Sequence, residues 1–309
     1  MIDDFHSQST VRTTVLPSFL PICSEMSSEK KRKLNPLGSK ESIQQQWSLE
    51  GRNYVVTGGT NGIGLATVKA LLAHGARSVL FCSRSACGDL LKSLKQEYEG
   101  STVFHTICDV ATAEGRKALF QAAKECFGES KVQGLVNNVG TNVRKKVLEQ
   151  TDEEYHTMMK TNVDSAYFLC RLFSEILDEE HGATIVNVSS AAGVQSSGTG
   201  AAYGLSKAAI NHFTKILACE WAGRNIRVNA VTPWMTMTPM LKEAVKTNPT
   251  QLDKVKAWTP MHRLAEPEEI AGPIVFLCLP ASSYVTGQVL GIDGGLTAQG
   301  FDGPCVTPP

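Results

Sequence analysis

The sequence predicts a single α/β domain built on a doubly wound, Rossmann-type parallel sheet of seven strands with helices on both faces. Short β-rich runs alternate with long helical segments from Asn53 onward, which is the order that a parallel sheet with crossover helices requires. Strand runs such as residues 185–188 lack polar alternation, as expected when both faces of a sheet are buried. A glycine-rich turn joins the first strand to the first helix.

The seven predicted strands are short apolar runs separated by helical segments. They lie at residues 54–56, 78–81, 103–107, 134–137, 184–188, 226–231 and 288–292. No repeat or Gly/Ser linker interrupts this body. We therefore predict one Rossmann-type domain over residues 47–300, preceded by an extension of residues 1–46 and followed by a tail of residues 301–309.

Residues 1–46 are rich in Ser, Thr, Pro, Lys and Gln and show no helical or strand period, so we predict a flexible extension. A transit peptide is one alternative, although Asp3 and Asp4 are unusual for such peptides. A nuclear signal at the basic residues 30–33 is another. We predict a cytoplasmic protein, with organellar targeting by the extension as the competing reading.

Composition argues against several classes of function. The 30 Lys and Arg residues balance 30 Asp and Glu residues, so no excess charge draws the chain to nucleic acid or anionic lipid. The longest apolar runs fall far short of the roughly 18 residues that a membrane span needs. The nine cysteines form no C-x-x-C pair and predict buried free thiols and no metal site. We expect a small-molecule substrate, with no nucleic-acid or membrane partner.

The glycine-rich turn has the spacing T-G-x-x-x-G-x-G from Thr57 to Gly64, which differs from the G-x-G-x-x-G fingerprint. Glycines at this joint permit a tight turn and close approach of the backbone, so the N-terminus of the helix can bind a pyrophosphate.

A second pattern predicts acid/base chemistry. Tyr203 and Lys207 are four residues apart on a predicted helix and therefore share one face. A cation beside a phenol favours the phenolate, so we expect Lys207 to lower the pKa of Tyr203. Tyr203 would then act as a general acid/base on a carbonyl/alcohol pair, while Ser190 stabilises the carbonyl oxygen.

In this order, the motifs resemble those of the short-chain dehydrogenase/reductase family over about residues 49–296. Asp109 and Val110 resemble the pair that contacts adenine in that family, and residues 137–140 resemble its Asn-Asn-Ala-Gly turn with Val in place of Ala. Ser190 lies 13 positions before Tyr203, and Tyr203-Gly-Leu-Ser-Lys207 is the Y-x-x-x-K signature.

The resemblance implies further roles. Asn162 would hold a relay water, Lys207 would also bind the nicotinamide ribose, and Thr238 would bind the carboxamide. The predicted cofactor-binding residues are Gly58, Thr60, Asn61, Gly62, Ile63, Gly64, Ser83, Arg84, Asp109, Val110, Asn138, Tyr203, Lys207, Pro233 and Thr238. A homotetramer or homodimer is implied as well.

The end of the second strand predicts NADP(H) as the cofactor. Ser83 stands where NAD-dependent enzymes place an acid, and no acid follows until Asp89. Arg84 adds a planar cation that suits phosphate oxygens, although Asn61 brings no positive charge to the glycine turn. With Trp234 after the sixth strand, this ending resembles the tropinone-reductase-like branch of the family.

The sequence therefore predicts an NADP(H)-dependent reductase of a small ketone, or dehydrogenase of the matching secondary alcohol, with residues 235–260 as a lid over the substrate. One alternative is a non-catalytic dinucleotide-binding regulatory protein, which would be expected to lack Tyr203 or Lys207. Another is an enoyl reductase or a sugar epimerase on a related fold, against which the Ser190 to Tyr203 spacing argues.

Overall fold

The predicted seven-stranded sheet is confirmed in the structure, a computed structural model that describes residues 39–239, 241–242 and 251–299. Every strand pairs in parallel with its neighbours, in the order β3-β2-β1-β4-β5-β6-β7. The strands are β1 Asn53–Thr57, β2 Ser78–Ser83, β3 Thr102–Ile107, β4 Gly134–Asn137, β5 Ala183–Val188, β6 Ile226–Pro233 and β7 Val289–Ile292.

Helices cover both faces of this sheet. Leu71, Leu94 and Ile274 lie in one apolar cluster, whereas Leu119 and Leu169 lie in the other. Within the described part of the chain the helices are α1 Lys40–Gln46, α2 Gly62–Ala73, α3 Gly88–Glu97, α4 Ala113–Phe127, α5 Asp152–Met159, α6 Ser165–Phe173, α7 Ala201–Trp221, α8 Gln251–Trp258 and α9 Pro267–Cys278.

The burial of each strand follows its place in the sheet. All residues of the central strands β1, β4 and β5 are buried, which explains why their sequences lack polar alternation. The edge strands β3 and β7 are partly exposed. The apolar strand runs of the sequence are therefore the middle of the sheet.

The order of the strands reverses at β1, which has β2 on one side and β4 on the other. Loops that leave the carboxyl ends of β1 and β4 diverge to opposite faces and open a crevice, the usual ligand site of such sheets. The glycine turn follows β1, and the Asn137–Gly140 turn follows β4. The fold thus brings both motifs to one edge.

The predicted extension and tail fall mostly outside the described residues. The described end of the extension is α1, which has no buried residue. Trp47, directly after α1, has its ring centroid 6.2 Å from that of Phe276. The boundaries at residues 46 and 300 stay predictions.

The predicted buried thiols are confirmed at most, but not all, of the described cysteines. Cys219 is exposed, because it lies on the solvent side of α7, next to the buried Ala218. The other described cysteines are free as well: Cys82, Cys108, Cys170 and Cys278 are buried, and Cys87 and Cys126 are half-buried. None of the helices described is long and apolar enough to cross a membrane.

Candidate active site

The glycine turn forms a tight loop between β1 and α2. Gly58 and Gly62 have φ angles of +69° and +51°, in the left-handed region that favours glycine. A Cβ placed on Gly64 would lie 2.1 Å from the carbonyl oxygen of Gly58. Side chains at these positions would therefore break the turn. The turn holds the predicted residues Gly58, Thr60, Asn61, Gly62, Ile63 and Gly64 together.

The side chains of Asn138 and Thr57 form hydrogen bonds that stabilise this turn. The side-chain amide of Asn138 donates to the carbonyl oxygen of Thr57 at 2.9 Å, and the Thr57 hydroxyl accepts from the backbone N–H of Asn138 at 2.9 Å. The Asn138 side chain therefore acts on the backbone of the turn. Thr57, whose role the sequence did not indicate, fixes β1 to β4.

The N-terminus of α2 faces the crevice with its amides available. Asn61 caps the helix but makes no capping hydrogen bond through its side chain, so the first N–H groups remain free to meet an anion. Thr238 lies against the turn, because a Cβ on Gly62 would be 3.1 Å from its methyl carbon. The residues present thus fit a dinucleotide pyrophosphate.

At the end of β2 the predicted phosphate residues lie at the surface. Arg84 is exposed and forms no ion pair with any residue that the structure describes. The Ser83 hydroxyl donates to the carbonyl oxygen of Ser85 at 2.7 Å and lies 2.8 Å from Nε2 of His105. Sequence reasoning did not single out His105, whose contact depends on the pairing of β2 with β3.

The turn after β3 carries the predicted adenine pair. Asp109 is exposed, and its carboxylate accepts from the backbone N–H of Ala111 at 3.0 Å. Val110 is buried, and its carbonyl oxygen accepts from the Arg116 guanidinium at 3.0 Å. Both residues of this turn are therefore held by hydrogen bonds.

Lys207 is buried at the centre of the site. Its Nζ donates to the carbonyl oxygen of Val188 at 2.9 Å and lies 5.7 Å from the centroid of the Tyr203 ring. Burial lowers the pKa of Lys207 to about 8. A Cβ on Gly140 would lie 3.1 Å from this Nζ, so the glycine of the turn after β4 leaves room for the ammonium.

The electrostatics of Tyr203 differ from the prediction. Burial raises the pKa of Tyr203, and a hydrogen bond with Ser190 and the positive charge of Arg144 offset only part of that rise. The expected lowering by Lys207 is therefore wrong for this structure. The physical reason is that desolvation penalises the phenolate more than nearby donors and cations favour it.

Ser190 occupies the position that the sequence predicted for it. It follows β5 and its hydroxyl accepts from the backbone N–H of Ala192 at 3.2 Å, which fixes the side chain. Its hydroxyl is close enough to Tyr203 to lower the pKa of the phenol, so the two hydroxyl groups lie near each other at the carboxyl edge of the sheet.

Asn162 lies in a π-helical turn over Lys160–Asp164, between α5 and α6. Its side-chain oxygen accepts from the N–H of Thr141 at 2.7 Å. Its amide donates to the carbonyl oxygen of Thr141 at 3.0 Å and to the Ser206 hydroxyl at 2.9 Å. The side chain thus joins the loop after β4 to α7. The relay water stays a prediction.

β6 ends at Pro233, which is buried. Trp234 is half-buried, and its indole N–H donates to the Thr259 hydroxyl at 3.1 Å. Trp258, at the end of α8, is 59% exposed. Much of the predicted lid lies outside the described residues. Those residues that are described contain no cluster of potential metal ligands.

Comparison with known proteins identifies the family. A family model described as Enoyl-(Acyl carrier protein) reductase matches residues 58–297. A chloroplastic tropinone reductase homologue of Arabidopsis thaliana is 41% identical over 96% of this chain and 92% of its own length.

Two solved structures are also similar. An L-sorbose reductase from Gluconobacter frateurii, complexed with NADPH and L-sorbose, has a TM-score of 0.77 at 31% identity and covers 82% of this chain and 99% of its own. A gluconate 5-dehydrogenase from Burkholderia cenocepacia, in complex with NADP and tartrate, has a TM-score of 0.76 at 26% identity and covers 83% and 99%. The sheet, the glycine turn, the Tyr203 site and these matches together place the chain in the short-chain dehydrogenase/reductase family.

Proposed function

We propose that the chain is an NADP(H)-dependent carbonyl reductase that transfers a hydride between nicotinamide and a small ketone or secondary alcohol. The observation that carries the proposal is the convergence of Tyr203, Ser190 and Lys207 beside a glycine turn that fits a pyrophosphate. Similar structures that hold NADP or NADPH support the cofactor. The nicotinamide, when bound, supplies or accepts the hydride.

The chain's own residues orient the carbonyl and move the proton. Because burial raises its pKa, Tyr203 is a neutral phenol at physiological pH. In that form it donates a proton to the carbonyl oxygen during reduction. During that step the Ser190 hydroxyl turns its single hydrogen from Tyr203 to the same carbonyl oxygen and stabilises the charge that develops there.

Lys207 contributes to this step as a proton source and as a ribose-binding group. Its pKa of about 8 keeps the ammonium form and makes it a ready proton source near neutral pH. One N–H is used by Val188, and the others remain for the ribose hydroxyls that the family resemblance implies. Asn162 holds Thr141 and Ser206 by hydrogen bonds, and a relay water beside it is part of the proposal.

The cofactor-binding residues divide by the part of the dinucleotide that each would hold. The glycine turn and the start of α2 would bind the pyrophosphate, with Thr238 nearby for the carboxamide. Asp109 and Val110 would bind adenine. The 2′-phosphate would bind to Ser83 and Arg84, because the Arg84 guanidinium forms no ion pair with any residue that the structure describes.

Arg144 favours a second substrate class, a ketone that carries a carboxylate. Its charge acts on Tyr203, and it forms no ion pair within the part of the chain that the structure describes. The backbone oxygens of Val143 and Lys145 would lie 3.4 and 3.2 Å from a Cβ on Gly200, which starts α7. The segment that carries Arg144 therefore lies against the start of α7, the helix of Tyr203.

The experiment is a substrate panel followed by NADPH absorbance. Neutral ketones, keto acids and an enoyl thioester are compared at equal concentrations, with NADH as the matched cofactor. Turnover of ketones with NADPH supports the proposal. Turnover of the enoyl thioester alone would instead support an enoyl reductase, the description that the family model carries. No turnover with tight NADPH binding would support a regulatory protein.

Self-association and location are part of the proposal. Tyr167 and Phe168 on α6 and Leu205 and Ile216 on α7 are at least 36% exposed, and such apolar surface is typical of subunit contacts. We expect a homotetramer or homodimer, tested by light scattering.

We expect a cytoplasmic protein. Because one relative is chloroplastic, a fluorescent fusion of the full chain tests the organellar alternative.

A further inference from the structure

The Ser83 hydroxyl is held by two hydrogen bonds at the end of β2. It lies 2.7 Å from the carbonyl oxygen of Ser85 and 2.8 Å from Nε2 of His105. A hydroxyl has one hydrogen to donate and two lone pairs with which to accept. Since a carbonyl oxygen can only accept, that hydrogen goes to Ser85. His105 must therefore donate its Nε2 hydrogen to Ser83.

This assignment fixes the form of the imidazole. Burial lowers the pKa of His105, so the ring is neutral near pH 7 and carries its single hydrogen on Nε2. The ring of Phe81, which pairs with His105 in the sheet, lies 5.0 Å away and holds the imidazole in place. His105 is thus a fixed donor aimed at Ser83.

The pair lies on the side of the sheet that carries the glycine turn. A Cβ on Gly59 would be 2.6 Å from Cβ of Phe81, so the turn packs directly on the residue beside His105. Phe81 and Ser83 are two residues apart on β2 and therefore face the same side. Arg84 follows next. The glycine turn itself carries no cation.

We infer that His105 is a positioning residue for cofactor selectivity, which orients the Ser83 hydroxyl to donate to the adenosine 2′-phosphate. A phosphate accepts hydrogen bonds, whereas the 2′-hydroxyl of NAD(H) also donates one. With His105 occupying one lone pair of Ser83, the Ser83 hydrogen can turn from Ser85 to a phosphate oxygen. The inference rests on the proposed phosphate site at Ser83 and Arg84.

The test measures binding rather than turnover. Adenosine 2′,5′-bisphosphate and adenosine 5′-monophosphate differ by the phosphate in question, and their affinities are measured by calorimetry on the full chain. His105→Phe keeps a ring against Phe81 and removes the donor. His105→Gln keeps an N–H donor and is the matched control. If the Phe variant folds poorly, His105→Leu takes its place.

We expect His105→Phe to weaken binding of the bisphosphate by about 3- to 10-fold, the effect of one hydrogen bond. Binding of the monophosphate should change by less than about twofold, and His105→Gln should restore at least part of the loss. In a Ser83→Ala background the Phe substitution should have no further effect, because the path from His105 to the phosphate passes through Ser83.

Arg84→Ala separates this inference from the proposed phosphate site. If Arg84→Ala weakens bisphosphate binding and His105→Phe does not, the inference is overturned and the site stands. If neither substitution discriminates between the two nucleotides, the phosphate binds elsewhere and both fail. An equal loss for both nucleotides in His105→Phe would show a structural role and would also overturn the inference.

Discussion

Replacing Asn162 with alanine should lower the free energy of unfolding and the Tm of the protein. The side chain is 2% exposed and makes three hydrogen bonds, two with the backbone of Thr141 and one with Ser206. At about 1 kcal/mol for each bond, the free energy of unfolding should fall by about 3 kcal/mol. For a domain of this size, that loss lowers Tm by about 6 to 12 °C.

Ser206→Ala is the matched control. It removes one of the three bonds of Asn162 and also the bond that the Ser206 hydroxyl donates to the carbonyl oxygen of Tyr203 at 2.8 Å. At about 1 kcal/mol for each bond, it should lower Tm by about 4 to 8 °C. Both variants are compared by thermal unfolding without nucleotide, and kcat is measured below the lower Tm. A Tm for Asn162→Ala within about 1 °C of the wild type, with a large fall in kcat, would refute the reasoning. It would assign Asn162 to the chemistry and not to the joining of the loop to α7.

Three further predictions concern the cofactor, the lysine and the extension. Arg84→Ala should raise KM for NADPH at least about tenfold and leave KM for NADH nearly unchanged, with a smaller effect at high salt; equal losses would exclude a phosphate contact. Lys207→Met should abolish turnover yet raise Tm near pH 7, because it removes a buried charge. The pKa of Lys207 is lowered, so its burial penalty is present below about pH 8 and is relieved as pH rises toward 10.5. The gain in Tm should therefore shrink by about pH 9, and a gain that grows with pH would contradict this sign. Deleting residues 1–46 should leave Tm and activity unchanged within error, since α1 buries no residue; a loss of either would show that the extension packs on the domain.

Local sequence patterns predicted the sheet and the glycine turn. Seven apolar runs marked the seven strands, because buried parallel strands need apolar residues on both faces. The glycine turn was predictable because only glycine tolerates its φ angles and contacts, as at Gly58 and Gly64. The edge positions of β3 and β7 follow from the strand order and not from their composition.

Long-range contacts could not be predicted in the same way. The Ser83 to His105 hydrogen bond depends on the register of β2 against β3, which no local pattern encodes. The pKa of Tyr203 is the sum of burial and of charges from separate elements, including Arg144. The π-helical turn that carries Asn162 joins α5 to α6, and its hydrogen bond to Thr141 spans 21 residues of the chain. Each of these needs the assembled fold.

The most direct test of the proposed chemistry is Tyr203→Phe, which removes one hydroxyl and little volume. The turnover number with the substrate identified from the panel is measured beside the affinity for NADPH. We predict that kcat falls by about 10² to 10⁴, as for loss of a positioned acid/base, while the Kd for NADPH changes by less than about twofold. A variant that keeps more than about a tenth of wild-type kcat would contradict the assignment of Tyr203 as the proton donor.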